Sequence, residues 1–348
     1  MKFVFFTLKV ILYPLMLLIN IIIYSRNWLY DNGFFKSVRT NIFTINVGNL
    51  NLGGTGKTPH VEYLVRLLLD KQPVSILSRG YKRKTKGFIL ADENATAESI
   101  GDEPMQYFSK FNGKVNVVVC EDRVAGVNKI ESLTNSNQVV ILDDAFQHRK
   151  IAPHLNLLLC DYNRPFYEDF LVPIGRLRDV RTSAKRADAV IVTKCPNEIS
   201  SQNYKQIKSG ISKYILSETP IFFSRILYKP IRGYSEKSVF NPINSTSIIT
   251  GIAKPEIFVD YILSQNIEVK KVHNFADHYA FSRKDIDKII VENTYSDIIT
   301  QMITTEKDMV KLKPLLSEKE LNLFFYVPIE IEIEDKKVFD DFILGKLK

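Results

Sequence analysis

The run Asn51-Leu52-Gly53-Gly54-Thr55-Gly56-Lys57-Thr58 directly follows the apolar stretch Ile42 to Val47 and precedes a helix-like segment, His60 to Leu69. A strand, a Gly-rich turn and a helix in that order form a phosphate-binding loop, which commits this part of the chain to a P-loop NTPase core with a parallel sheet. Successive backbone N–H groups in such a loop wrap a phosphate, Lys57 reaches the β/γ oxygens, and the Thr58 hydroxyl is placed to ligate Mg²⁺. Gly53, Gly54 and Gly56 let the backbone approach without Cβ clashes. Asn51 stands where the pattern usually opens with Gly, but Lys-Thr in register behind a buried strand makes up for it. The bland reading, a helix-capping turn that binds nothing, is the weaker one.

A metal at that loop needs a carboxylate from a neighbouring strand end. Val139 to Leu142 followed by Asp143 and Asp144 supplies two. Four apolar residues in a row suit a parallel strand buried on both faces, and the acids then emerge at the carboxyl edge, where open α/β sheets bind ligands. One Asp would hold the metal or its water, and the other would orient a nucleophile or base.

The 348 residues, 45% of them hydrophobic, suffice for two cores and a small extra element. Cys120, Cys160 and Cys195 each close a strand-like run without metal-ligand spacing, as reduced core cysteines do. A net charge of +8 admits nucleic acid, an anionic lipid surface or a phosphorylated substrate. The basic clusters Arg79 to Lys86 and Arg176 to Arg186 lack the stacked aromatics of a single-strand binder, so nucleic acid is disfavoured. Nothing in the chain signals a protein partner.

Phe3 to Tyr24 is an almost unbroken apolar run, and as a helix it reaches roughly 33 Å, against a bilayer core of ~30 Å. Lys2, Lys9, Tyr13, Asn20 and Tyr24 share one narrow helical sector, which suits an interfacial helix or a span with its stripe against something polar. Pro14 predicts a kink. The residues after the run offer no small-residue cleavage site. Arg26, Lys36 and Arg39 beside Trp28 and Tyr30 make a basic, aromatic flank that faces anionic lipid. The segment therefore reads as a membrane anchor with the folded body in the cytosol.

Strands are expected at Val74 to Ser78, Val115 to Cys120, Leu155 to Cys160 and Ala189 to Thr193, with helices between, such as Val124 to Ser132. The chain divides into an anchor helix and flank over 1–40, a P-loop core over 41–215, a β-ribbon linker over 216–245 and a smaller α/β domain over 246–348. In that last domain, strands are expected at Ser247 to Thr250, Glu268 to Val272 and Ile299 to Thr304, and helices at Pro255 to Ser264 and Arg283 to Glu292.

Further site loops sit at strand ends. Arg79 follows the second strand, Arg123 the third, and Arg178 lies in a long loop after Pro173; each offers a cation to phosphate. In Gly101-Asp102-Glu103-Pro104 the residues alone favour helix-start charges over chemistry for the two acids. Asp277-His278 places an acid beside an imidazole. Thr304-Thr305-Glu306-Lys307-Asp308 resembles a base-reading loop only loosely, and neither it nor Thr193-Lys194-Cys195-Pro196 carries the order associated with guanine recognition.

Taken in order, these motifs, with Leu77 to Tyr81, Asp143 to His148 and Gly251 to Pro255, resemble the tetraacyldisaccharide 4'-kinases of lipid A synthesis across nearly the whole chain. The resemblance implies ATP and Mg²⁺ as cofactors and γ-phosphoryl transfer to the 4'-hydroxyl of a tetraacylated glucosamine disaccharide 1-phosphate, at the cytoplasmic face of the bacterial inner membrane. It implies a P-loop kinase core and a smaller α/β domain joined by a β-ribbon. It further implies that Asp102 and His278 pair to activate the sugar hydroxyl, that Asp143 and Asp144 serve Mg²⁺, and that Arg123 and Arg178 hold phosphate oxygens. An imidazole held by a carboxylate accepts a proton near neutral pH. Ala145, Lys82, Arg176 and Tyr279 depart from the family pattern, standing where Gly, Gly, Pro and a second His are usual. Two other classes compete: a membrane ATPase that switches on hydrolysis without a lipid acceptor, and a noncatalytic nucleotide-binding adaptor indifferent to His278.

Overall fold

The computed structural model describes residues 2–134, 137–242, 245–295 and 298–347, with side chains except at 2–10, 294–295 and 298–299. Among these residues, nine strands form one sheet in the order Ile329–Ile333, Ile221–Tyr228, Ala189–Thr193, Leu155–Asp161, Phe43–Asn49, Val139–Asp143, Val74–Ser78, Asn116–Val119 and Ile89–Leu90. The seven inner strands run parallel and the two edge strands antiparallel. Continuous burial of Val74–Ser78, Val139–Asp143 and Leu155–Asp161 explains their unalternating apolar sequence, since helices cover both faces.

The P-loop helix, Lys57–Leu68, packs Val61, Leu64, Val65 and Leu68 onto Ile45, Ile76, Ile141 and Leu157. On the opposite face the Arg123–Leu133 helix lays Val127 and Ile130 over Leu77, Val118 and Leu142. Each such fully buried aliphatic side chain contributes ~1.5–3 kcal/mol of transfer free energy. The sheet is therefore a rigid base for its carboxyl-edge loops.

A second, five-stranded sheet has the order Val269–Asn274, Thr246–Thr250, Gln301–Thr305, Phe324–Val327 and Arg232–Gly233. The helices Pro255–Ser264 and Arg283–Glu292 coincide with their expected spans. The strand expected over Ile299 to Thr304 is split: Ile298–Ile299 pairs with Thr294–Tyr295, and Gln301–Thr305 enters the sheet. The Ile299 side chain lies outside the described residues.

Two features differ from the sequence expectation. The segment expected to lead away as a ribbon, Ile221–Tyr228, first extends the large sheet, with Ile221 to Phe223 parallel to Val190 to Val192, and only its outer half is a ribbon. Its ribbon partner is Ile329–Ile333, which the division at 246 had placed in the second domain. Residues 329–347 return to the first core: Ile331, Ile333, Phe339 and Ile343 join the cluster beneath the P-loop helix, and the Tyr63 hydroxyl donates to Asp340 at 2.6 Å. The alternation Ile329-Glu330-Ile331-Glu332-Ile333 carries that placement, because an edge strand buries one face only.

The amino-terminal helix runs over Lys2–Asp31, past the expected end at Tyr24, and includes Pro14. Its stretch from Ile11 to Asp31 is long and apolar enough to cross a membrane, and 11% of it is buried. Met16 and Ile23 dock on the core, and the Asn27 amide donates to Asp179 at 2.9 Å and to Ser183 at 3.1 Å. Ile11, Ile21, Ile22 and Tyr24 face outward. The Lys2 and Lys9 members of the polar stripe lie outside the described side chains.

Candidate active site

The Phe43–Asn49 strand delivers the chain into the phosphate loop, and Gly56, at φ +85°, turns it into the helix that begins at Lys57. Only a residue without Cβ takes that left-handed turn cheaply. The outward carbonyls of the loop are tied down. The His60 Nδ1–H donates to Gly56 O at 2.7 Å, the Thr193 hydroxyl donates to Thr55 O at 2.9 Å, and Lys194 Nζ donates to Gly54 O. Burial lowers His60 to about 4 against the pull of Gly56, so the ring is neutral and its Nε2 accepts from Ser224 at 2.9 Å. Asn51, the departure from Gly, is buried and donates to Asp169 at 3.0 Å, which Arg164 grips through both oxygens. Leu52 N and Arg178 N bond Arg176 O and Leu50 O, so the loop entrance is one strand of a short bridge. Thr193-Lys194 and Asn51 thus act as braces for the loop.

Asp143 and Asp144 end the adjacent strand, beside the loop. Lys57 Nζ lies 3.7 Å from Asp144. Asp144 holds a left-handed backbone (φ +57°), a conformation non-glycine residues adopt at a cost, and Arg178 forks onto its carboxylate while also touching Asn49. Burial pushes Asp144 up, but Lys57, Arg178 and Arg123 outweigh it and the carboxyl is held below its ordinary range. Asp143 behaves oppositely. Burial, then the charges of Glu103 and Asp144, push it well up against Lys57 and Arg123. Its Oδ1 is buried without a protein partner, while Oδ2 accepts from Tyr107 at 3.3 Å. Arg123 is itself buried, its Nη1 spent on Cys120 O and Glu121 O and its Nη2 reaching Asp144 O.

The Asp102–Phe111 helix links this centre to the second sheet. Asp102 Oδ2 accepts from the His278 Nδ1–H at 3.1 Å, and His278 Nε2 faces Lys307 Nζ at 3.1 Å. An ammonium cannot accept, and a carboxylate cannot donate, so these contacts assign Nδ1 as donor and Nε2 as acceptor. Burial raises Asp102, but the His278 hydrogen bond and the charges of Lys311 and Lys307 prevail and lower it. His278 sits at φ +59°. Further along the helix, Gln106 and Lys110 hold Glu62 of the P-loop helix, and Lys110 also reaches Glu306.

The structure thus brings Asp102 to His278, and Lys57 and Arg178 to Asp144, with Arg123 beside both acids. Tyr107 was not picked out by sequence reasoning, and Glu103 and Lys307 were named within their motifs without a role of their own. Glu103 and Tyr107 had a signal, since they lie one and five residues after Asp102 on one helix. Of the departures, Lys82 takes φ +60°, the region its usual Gly would favour, and Ala145 is buried in the core. Arg176 Nη1 lies 3.8 Å from where a Gly53 Cβ would stand. Tyr279 packs on Phe275 and Phe281.

The family model described as tetraacyldisaccharide-1-P 4'-kinase matches residues 8–348. The chain belongs to this 4'-kinase family. A tetraacyldisaccharide 4'-kinase of Cytophaga hutchinsonii is 42% identical over 329 residues, covering 94% of this chain and 92% of that one. Another, from Flavobacterium psychrophilum, is 42% identical over 342 residues, covering 97% and 96%. A crystal structure of LpxK from Aquifex aeolicus in complex with ATP superposes with a TM-score of 0.75 at 30% identity, covering 98% of this chain and all of that one. The α/β architecture is therefore that of the 4'-kinases, and the enzyme is a kinase.

Proposed function

We propose that the protein transfers the γ-phosphoryl group of ATP to the 4'-hydroxyl of a tetraacyldisaccharide 1-phosphate, in lipid A biosynthesis, from the cytoplasmic face of the inner membrane. The observation that carries the mechanism is the 3.1 Å approach of His278, in the loop after the Val269–Asn274 strand of the second sheet, to Asp102, which opens the Asp102–Phe111 helix. Sequence reasoning favoured an imidazole acceptor. Both ring nitrogens are engaged here, so the Asp102 carboxylate is the member of the pair with accepting capacity left. Its lowered pKa keeps it ionised at neutral pH, and His278 aims it.

Asp102 takes the hydroxyl proton as the oxygen bonds the γ-phosphorus and the bond to the β-phosphate oxygen breaks. Loop N–H groups and Lys57 stabilise the charge that builds on the departing diphosphate. Arg123, with few free donors, acts by its field, and Arg178 holds Asp144 in place while it lies next to the phosphates.

Thr58, Asp143 and Asp144 are the residues that would hold Mg²⁺. Among the described residues no trio of His, Cys, Asp or Glu makes a ready cage, which fits an ion that takes most ligands from phosphate and water. The unpartnered, desolvated Asp143 Oδ1 is the atom most in need of a cation. Bound Mg²⁺ would neutralise phosphate charge. The apolar outer face of the amino-terminal helix suits a lipid-embedded acceptor, because an anchored enzyme meets its headgroup within the membrane plane.

The test is the position of the new phosphate. The product of the purified protein with ATP, Mg²⁺ and the tetraacyldisaccharide 1-phosphate is expected to show, by ³¹P and ¹H NMR, a second phosphomonoester coupled to the 4' proton. Coupling to any other sugar proton would refute the assignment.

A further inference from the structure

The Thr305-Glu306-Lys307-Asp308 run resembles a base-reading loop only loosely in sequence. It opens the Glu306–Leu312 helix, and its side chains fix that opening tightly. Asp308 N donates to Thr305 Oγ1 at 3.1 Å, Asp308 Oδ2 accepts from Gly251 N at 2.9 Å, and Lys311 pairs with Asp308 at 3.0 Å. The backbone at Lys307 is thereby anchored to the loop after the Thr246–Thr250 strand. From there its ammonium donates to Asp277 at 3.0 Å and to His278 Nε2 at 3.1 Å.

We propose that Lys307 is a positioning residue that fixes His278 in the neutral Nδ1–H tautomer and keeps the ring from taking a second proton. The inference rests on the reading of Asp102 as proton acceptor. With Lys307 in place, a proton on Nε2 would point at an ammonium. Without it, Nε2 would face Asp277, 4.0 Å away, while Nδ1 stays on Asp102, so two carboxylates would favour the imidazolium. An imidazolium would hold the Asp102 electron pair too firmly for it to accept the substrate proton.

The groups facing His278 are Asp102 from its helix, Asp277 from its own loop, Lys307 from the Glu306–Leu312 helix and the Tyr81 ring, with centroids 5.7 Å apart; Lys311 adds its charge at Asp102. Of the two cations, Lys307 alone touches the ring; Lys311 is spent on Asp308 and Tyr279 O. Removing the Lys307 charge leaves Asp102 and Asp277 as the charged groups that face the ring.

The experiment is ¹⁵N NMR of histidine ring nitrogens in the full-length, detergent-solubilised protein, with His278→Gln to assign the signals. The wild type is expected to keep one protonated and one bare ring nitrogen at pH 6.5. Lys307→Met should show both protonated there, and Lys307→Arg, which keeps charge and donor, should follow the wild type. In turnover, the acid limb of kcat should move to higher pH in Lys307→Met with KM for ATP unchanged. A wild-type ring protonated on Nε2, or the same titration in Lys307→Met, would overturn the inference; so would a kcat loss that is uniform across pH. The ring signature is read without lipid, so failure of the lipid to accept phosphate would refute the functional reading and leave this result standing on its own.

Discussion

Lys110 and Glu306 meet at 2.8 Å across the junction between the two sheets, and the same ammonium lies 2.7 Å from the buried Glu62 of the P-loop helix. One cation on the helix that opens at Asp102 therefore ties together the P-loop helix and the helix that carries Lys307. The proposed chemistry draws on both parts of the fold, and this contact is part of what holds them together.

Burial raises the Glu62 carboxyl, with Lys110 pulling it down and Glu306 pushing it up. A carboxyl raised on folding contributes most below its unfolded pKa of ~4.3 and loses that contribution as pH rises through the folded value. In Lys110→Met the main opposition to the upward push is gone, and Arg66, 3.8 Å away, is the cation that remains at Glu62. Removing one partner of a buried pair typically costs ~3–5 kcal/mol. That loss is expected at pH 8 and a much smaller one at pH 5, by urea unfolding. An equal loss at both pH values would contradict the role given to Glu62.

Asp102→Ala and His278→Ala are each expected to lower kcat by ~10²–10⁴. The double variant should lose little more, because paired groups act as a unit. Losses that multiply in full, measured under saturating ATP, would dissolve the pair.

Asp143→Asn is expected to leave ATP affinity in EDTA unchanged and to remove most of the affinity that Mg²⁺ adds, by calorimetric titration. It should also raise Tm, most at alkaline pH, since it relieves a desolvated carboxyl whose pKa is pushed up. Retention of the full Mg²⁺ effect would take Asp143 out of the metal site.

His60, lowered to about 4 by burial, binds a proton less readily folded than unfolded, where its pKa is ~6.5. Its contribution is complete above pH 6.5 and is lost as pH falls toward 4, a difference on the order of 3 kcal/mol. His60→Gln is expected to be less stable than wild type at pH 7, with the gap narrowing by pH 4.5 in urea melts. A constant gap would mean that the ring takes up its proton alike in the folded and unfolded chain.

Much of this was legible in the sequence because the signals were local. The Gly-rich loop, the unbroken apolar strands and the paired acids each depend on neighbours within a few residues, and the structure has the strands at Val74–Ser78 and Ala189–Thr193 where the pattern put them. Long-range facts were not legible. That Ile329–Ile333 leaves the second sheet for the first depends on which edge is open, and Lys307's contact with His278 depends on how a seven-residue helix is braced by Gly251. Asn51 read as a defect because its partner, Asp169, is 118 residues away.

The central claim is that this kinase passes phosphate from ATP to a lipid. The most direct measurement incubates the purified protein with γ-labelled ATP, Mg²⁺ and tetraacyldisaccharide 1-phosphate, extracts the lipid and counts the label. Label in the lipid, lost with Lys57→Ala and cut sharply with Asp102→Ala, is the predicted result. Label released only as inorganic phosphate, at a rate the lipid leaves unchanged, would contradict it and identify a membrane ATPase.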